Sequence, residues 1–194
     1  MPADFFMSCY TPLIVGFAQH KFNCNLLTLV NNKLKTSNMQ KVTPCLWFDG
    51  RVDEALDLYK SIFKDFKINA LLRNTDASPG ETGSILTATF EIFGQQFMIL
   101  NGGPQFKHTE AVSFTINCDN QEEVDHYWYG LTKNGGQESD CGWLKDPFGI
   151  SWQVTPTILP KLLMDKDPIK ANNVMKAMME MKKIDIAKLE EAYN

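Results

Sequence analysis

Between Val42 and Val154 the chain passes twice through one succession of patterns: an alternating apolar segment, a helical stripe, then further alternating segments. Few residue identities accompany the repeat, so it is a duplication of pattern. It constrains the fold strongly, because a helix with a single apolar stripe must lie on a sheet, and each half supplies one such helix.

In the first half, Val42, Pro44, Leu46 and Phe48 alternate with Thr43, Cys45 and Trp47, and Pro44 points to an edge strand. Asp49-Gly50 then opens a helix with Val52, Ala55, Leu56, Tyr59, Ile62 and Phe63 on one face. Phe66–Leu72 reads as a strand, and Asn74–Gly83 as a loop rich in Asp, Ser, Pro and Gly. The longest strand spans Ser84–Phe93, with Leu86, Ala88, Phe90 and Ile92 on one side and Ile85, Thr87, Thr89 and Glu91 on the other. A turn at Gly94-Gln95 returns Gln96–Leu100 antiparallel, and Asn101-Gly102-Gly103-Pro104 closes the unit.

The second half starts with a strand over Ala111–Asn117, its Val112, Phe114 and Ile116 on one side. Asn120 and Glu123 form a capping box for a helix striped by Val124, Tyr127, Trp128 and Leu131, which Gly135-Gly136 ends. A short strand through Ser139–Trp143 leads into the hairpin GWLKDPFGISWQV, residues 142–154, where Asp146-Pro147-Phe148-Gly149 turns the chain. Ile150, Trp152 and Val154 then alternate with Ser151, Gln153 and Thr155. Two helices follow, one capped by Asp167 with Ala171, Val174, Met175, Met178 and Met179 inward, one capped by Asp185 with Ile186, Leu189 and Ala192. The methionine stripe reads as core packing, with a dimer contact as the alternative.

The fold class is therefore α+β: paired β-α-β-β-β modules with C-terminal helices. An extension, residues 1–39, lacks either period and is expected to be poorly ordered. The domain is 40–194, with module one over 42–100, module two over 111–155 and C-terminal helices over 158–193.

The chain has 194 residues, of which 44% are hydrophobic and 22% charged, which suits one globular domain or two small modules sharing a core. A formal net charge of -4 without clustered Lys and Arg speaks against a nucleic-acid partner. No apolar run approaches the roughly 18 residues of a membrane span. The five cysteines are scattered without a Cys-x-x-Cys pair, so a reducing, cytoplasmic setting is expected.

Several phrases resemble a known family: Val42–Gly50 (VTPCLWFDG), Leu100–Pro104 (LNGGP), Cys141–Asp146 (CGWLKD) and Phe148–Val154 (FGISWQV). They are similar to the PhnB-like branch of the vicinal oxygen chelate superfamily, the group of glyoxalase I, bleomycin-resistance proteins and extradiol dioxygenases. The resemblance covers residues 40–193. It implies two curved sheets around an open cleft and a homodimer. Superfamily enzymes hold a metal on the cleft face with His, Glu or Gln from the first and last strands of each module. The matching positions here are Thr43, Met98, Ala111 and Gln153, of which only Gln153 is a plausible ligand, so no metal and no cofactor are expected.

The candidate ligand-binding residues are Thr43, Trp47, Asn101, Trp143 and Gln153. Two indoles and a neutral amide suit a small, partly apolar molecule. Four of them also have a plainer reading: cleft floor for Trp47 and Trp143, turn former for Asn101, half-solvated strand residue for Gln153. Cys45 faces the cleft without an adjacent His, and Asp146 reads as a turn residue. His108 and Glu110 lie on the loop between modules, read either as exposed residues or as an acid/base pair. The function expected is small-molecule binding without catalytic metal. The alternatives are a metal-dependent lyase or isomerase of glyoxalase type, and the 3-demethylubiquinone 3-methyltransferase named in this branch's label. The last lacks a Gly-x-Gly-x-Gly loop after a strand.

Overall fold

The computed structural model describes residues 40–194, and the expectation for 1–39 lies outside them. Module one is built from β1 (Cys45–Phe48), α1 (Val52–Ile62), β2 (Lys67–Arg73), β3 (Ile85–Ile92) and β4 (Gln95–Asn101). Module two repeats the order with β5 (Ser113–Cys118), α2 (Gln121–Thr132), β6 (Gln137–Glu138), β7 (Trp143–Lys145) and β8 (Ser151–Pro156). The sheets have the matching orders β1-β4-β3-β2 and β5-β8-β7-β6. In each, the first strand lies at the edge and runs parallel to the last. Three helices follow: α3 (Leu159–Leu163), α4 (Pro168–Met179) and α5 (Ile186–Tyr193). No described helix is long and apolar enough to cross a membrane.

The expected stripes of α1 and α2 are buried throughout, from Val52 to Phe63 and from Val124 to Leu131. Asn120 caps α2 by accepting the Glu123 amide, and Glu123 reaches back to the Asp119 amide, each at 2.9 Å. Both helices share one core with the inner faces of both sheets. There the rings of Tyr59 and Phe63 approach Trp152, and Phe97 meets Phe114 edge-on at 5.1 Å.

Asp146 welds the modules. The residue is 2% exposed. It accepts hydrogen bonds from Tyr59 Oη of α1 (2.7 Å), Trp152 Nε1 of β8 (3.0 Å), and the amides of Phe148 and Ile150 (2.9 and 3.0 Å). Burial raises its pKa above the ordinary carboxylate value, outweighing these donors, which act to lower it. Burial first, and the facing carboxylate second, push the Tyr59 phenol far up.

Several expected details shift. β1 starts at Cys45, because Pro44 has no amide to donate; its carbonyl still accepts from Met98. In β3 the alternation breaks at Leu86, where Leu72 faces Thr87 but Arg73 faces Ile85. This bulge turns Ile85 into the core and leaves Leu86 half-buried. The β3–β4 turn is Phe93-Gly94, since both residues have positive φ as a two-residue turn requires; the Phe93 ring rests against Phe63 and Tyr127. β5 starts at Ser113, opposite Ser151, so Ala111 precedes the strand and Val112 is exposed. Of the segment expected as one strand, 139–143, residues 139–142 turn the chain between β6 and β7, with Cys141 and Gly142 at positive φ, and only Trp143 is in a strand.

The C-terminal part forms three helices where two are expected, around a separate small core of Leu159, Val174, Met181, Ile184 and Leu189. In α4 only Val174 is fully inward, while Met175 and Met179 are exposed, because the short α3 and α5 cover one side of the helix. This lobe is tied to module two by the Cys141 and Gly142 amides, which donate to Met181 and Lys182 carbonyls, and by the Gln121 side chain, which bonds Ile184 and Ile186.

Candidate functional site

With one helix per sheet, each sheet keeps one face free of helix. On module one the residues opposite the core are Cys45 and Trp47, paired in register with Met98 and Leu100 of β4. On module two they are Ser113, Thr115 and Asn117 of β5, Ser151 and Gln153 of β8, and Trp143 and Lys145 of β7.

The five candidate residues fall into two groups. Thr43, Trp47 and Asn101 belong to module one. Thr43 Oγ1 donates to Gln96 Oε1 at 3.4 Å. Trp47 Nε1 donates to the Gly103 carbonyl at 2.7 Å, and its ring lies so close over Gly102 that a Cβ there would sit 2.2 Å from it. Asn101 is engaged at both ends of its amide, accepting from the Gly50 amide (2.8 Å) and donating to the Ile85 carbonyl (3.1 Å). Trp47 and Asn101 therefore hold the Asn-Gly-Gly turn against the start of α1.

Trp143 and Gln153 face each other across β7 and β8, and Gln153 Nε2 donates to Ser113 Oγ at 2.8 Å. Trp143 borders a cavity of about 510 Å³ with Glu110, Lys145 and Ser151, walled by residues 137–141. Thr43, Trp47, Asn101 and Gln153 do not line it. Glu110 Oε1 and Lys145 Nζ pair at 2.5 Å, and that bond holds the Glu110 carboxyl below its ordinary pKa. Glu110 thus partners Lys145, while His108 packs edge-on to Phe48 at 5.9 Å, so the two do not form an acid/base pair. Ser151, expected on a half-solvated face, is 2% exposed, and its Oγ has no partner. Lys145 is absent from the candidate residues although parity marks it: it lies two residues from Trp143 on the same strand face, as Ser151 does from Gln153.

Among the described residues no group of three or more His, Cys, Asp or Glu is placed to hold a metal. The superfamily's metal positions carry Thr43, Met98 and Gln153, and Ser113 is the β5 side chain beside Gln153. These positions present a hydroxyl, a thioether and an amide, the amide donating to Ser113. Burial also raises the Cys45 pKa, against a thiolate nucleophile.

Comparison with known proteins bears on the family and the fold. The family model described as 3-demethylubiquinone-9 3-methyltransferase covers residues 40–155. A PhnB protein from Bacillus cereus, a putative 3-demethylubiquinone-9 3-methyltransferase, shares 32% identity at a TM-score of 0.57, over 61% of this chain and 100% of that one. A Pseudomonas aeruginosa protein shares 22% identity at a TM-score of 0.50, over 59% of this chain and 96% of that one. No curated protein matches significantly. The chain belongs to the 3-demethylubiquinone-9 3-methyltransferase family, the PhnB-like branch of the vicinal oxygen chelate superfamily.

Proposed function

We propose that the chain binds a small, partly apolar molecule on the helix-free face of the module-two sheet, with the Trp143 indole as the apolar wall. The observation that carries this reading is the cavity of about 510 Å³ beside Trp143, Lys145 and Ser151, a size suited to a small organic ligand. The Lys145–Glu110 pair supplies both charge signs at its rim. Binding is proposed to need no catalytic metal, because the positions that the resemblance assigns to a metal, Thr43, Met98 and Gln153, offer neither imidazole nor carboxylate. The family's name points to methyl transfer. Against it, Gly102 lies under Trp47 and Gly136 is wedged between α2 and Lys145, so neither glycine pair forms an open Gly-x-Gly-x-Gly loop of the kind that holds S-adenosylmethionine.

The test is mass spectrometry of small molecules retained by the purified protein, followed by titration of what is found. Trp143→Ala is expected to weaken that ligand by roughly 30-fold, the loss typical of a buried aromatic anchor. Unchanged affinity would remove Trp143 from the site. Stoichiometric divalent metal, lost in Gln153→Ala, would replace the metal-free reading with a glyoxalase-type one.

The reading includes a homodimer. Every residue of β2 is exposed, including Ile68, Leu71 and Leu72, and a second copy would cover such apolar positions. Sedimentation is expected to return twice the chain mass, and Leu72→Lys to shift it toward the monomer; a monomer at all concentrations rejects this part.

A further inference from the structure

Among the described residues, three buried side-chain polar atoms have no hydrogen-bond partner: Asn74 Oδ1, His108 Nε2 and Ser151 Oγ. A buried polar atom without a partner is costly, so each needs a reason. Asn74 belongs to the β2–β3 loop, where its other amide atom donates to Ser84 Oγ and Gly80 packs against it. The remaining two come from different modules' surroundings, the inter-module loop and β8. His108 also borders a groove beside Arg51 and Phe148, and Ser151 also borders the cavity of Trp143. The space common to both is a separate cavity of about 200 Å³.

The lining of that cavity is one-sided chemically. Leu46, Phe114 and Ile150 give it an apolar floor. Its polar side chains are Lys107, His108, Thr109 and Ser151, and neither Asp nor Glu lines it. Lys107 and Thr109 are exposed at this point, so they can approach the mouth, while His108 and Ser151 lie deeper. An ammonium and two hydroxyls donate, as does the imidazole Nε2 in the tautomer that protonates it, and a carboxylate is a pure acceptor. A volume of about 200 Å³ corresponds to roughly six waters of liquid, enough for a short-chain acid. A charged guest enters such a space only with a counter-charge and hydrogen bonds, which Lys107 and the two unpartnered atoms offer.

We propose that this inter-module cavity binds a small monocarboxylate, with its oxygens on His108 Nε2 and Ser151 Oγ and its alkyl part on Leu46, Phe114 and Ile150. The site shares Ser151 with the larger cavity, but His108, Leu46 and Phe114 border only the smaller of the two.

The experiment is calorimetric titration of the full chain with sodium butyrate, against butyramide and sodium chloride, in wild type, Ser151→Ala, His108→Leu and Trp143→Ala. Saturable butyrate binding is expected, tighter than butyramide, and weakened at least about tenfold in both Ser151→Ala and His108→Leu, the scale of a hydrogen bond to a charged group. Trp143→Ala is expected to bind butyrate as wild type does. Without butyrate, Ser151→Ala is expected to unfold at no lower temperature than wild type, since its Oγ bonds to nothing, so a folded variant is available. Butyrate held no more tightly than butyramide would mean a water-filled cavity and overturn the proposal. So would wild-type affinity in either Ser151→Ala or His108→Leu, or loss of binding in Trp143→Ala.

Discussion

Asp146→Ala is expected to lower the unfolding free energy by about 3–5 kcal/mol, because it strands a phenol, an indole N–H and two backbone amides in a dry core. Those donors come from α1 of one module and from the β7–β8 hairpin of the other, so the loss falls on the junction itself. Tyr59→Phe removes one of the four bonds and is expected to cost about 1–2 kcal/mol. Urea denaturation of the three proteins checks the order. A loss below 1 kcal/mol for the alanine variant would show that the modules hold together without this carboxylate.

The same group carries a pH signature. Its pKa is raised on folding, chiefly by burial, so the folded state keeps its proton to higher pH than the unfolded chain does. The stability linked to that proton is fully present below the unfolded value of about 4 and falls as pH rises through the raised folded value. Wild type is therefore expected to lose ground relative to Asp146→Asn as pH rises through that window. Paired thermal melts measure it, and a constant difference across the window would contradict the assignment.

Gly136→Ala is the second large effect expected, about 3 kcal/mol of destabilisation. A Cβ there would lie 2.4 Å from the Leu131 carbonyl oxygen, 2.6 Å from Thr132 Cα and 2.8 Å from the Lys145 carbonyl oxygen. All three are main-chain atoms, which cannot rotate away as a side chain does. Relief would require the end of α2 and β7 to part, and β7 carries both Trp143 and Lys145 into the large cavity. The variant is thus expected to weaken ligand binding as well as lower the denaturation midpoint. A midpoint within error of wild type would show that this junction is looser than its distances imply.

How far the sequence was legible depends on what each signal encodes. Helix stripes and strand alternation encode burial, and Val52 through Phe63 and Ile150, Trp152 and Val154 are buried as read. Pairing with distant residues leaves a weaker mark. The bulge at Leu86 and the start of β5 at Ser113 depend on partners on other strands, and no local pattern states them. Side-chain satisfaction is further removed. Asp146 carries a turn signature, but its reach to Tyr59 exists only once the modules meet. Parity correctly divides Trp143 and Gln153 from the core, yet does not say that Trp47 and Asn101 spend their polar atoms on the Asn-Gly-Gly turn. Nor does it say that Ser151, two residues before Gln153, is closed off from solvent.

The parallel pairing of first and last strands in each module also sets a schedule for folding. Cys45 finds Met98 and Ser113 finds Ser151 only after every intervening strand and helix has been made. Such distant closures are slow, because chain entropy is spent before the contacts repay it. On the ribosome β1 and β5 each emerge first and wait longest, as unpaired strand edges with apolar Leu46, Phe48 and Ile116 available to other chains. Aggregation during synthesis should therefore be most sensitive to changes in the last strand of each module, whose arrival ends that exposure.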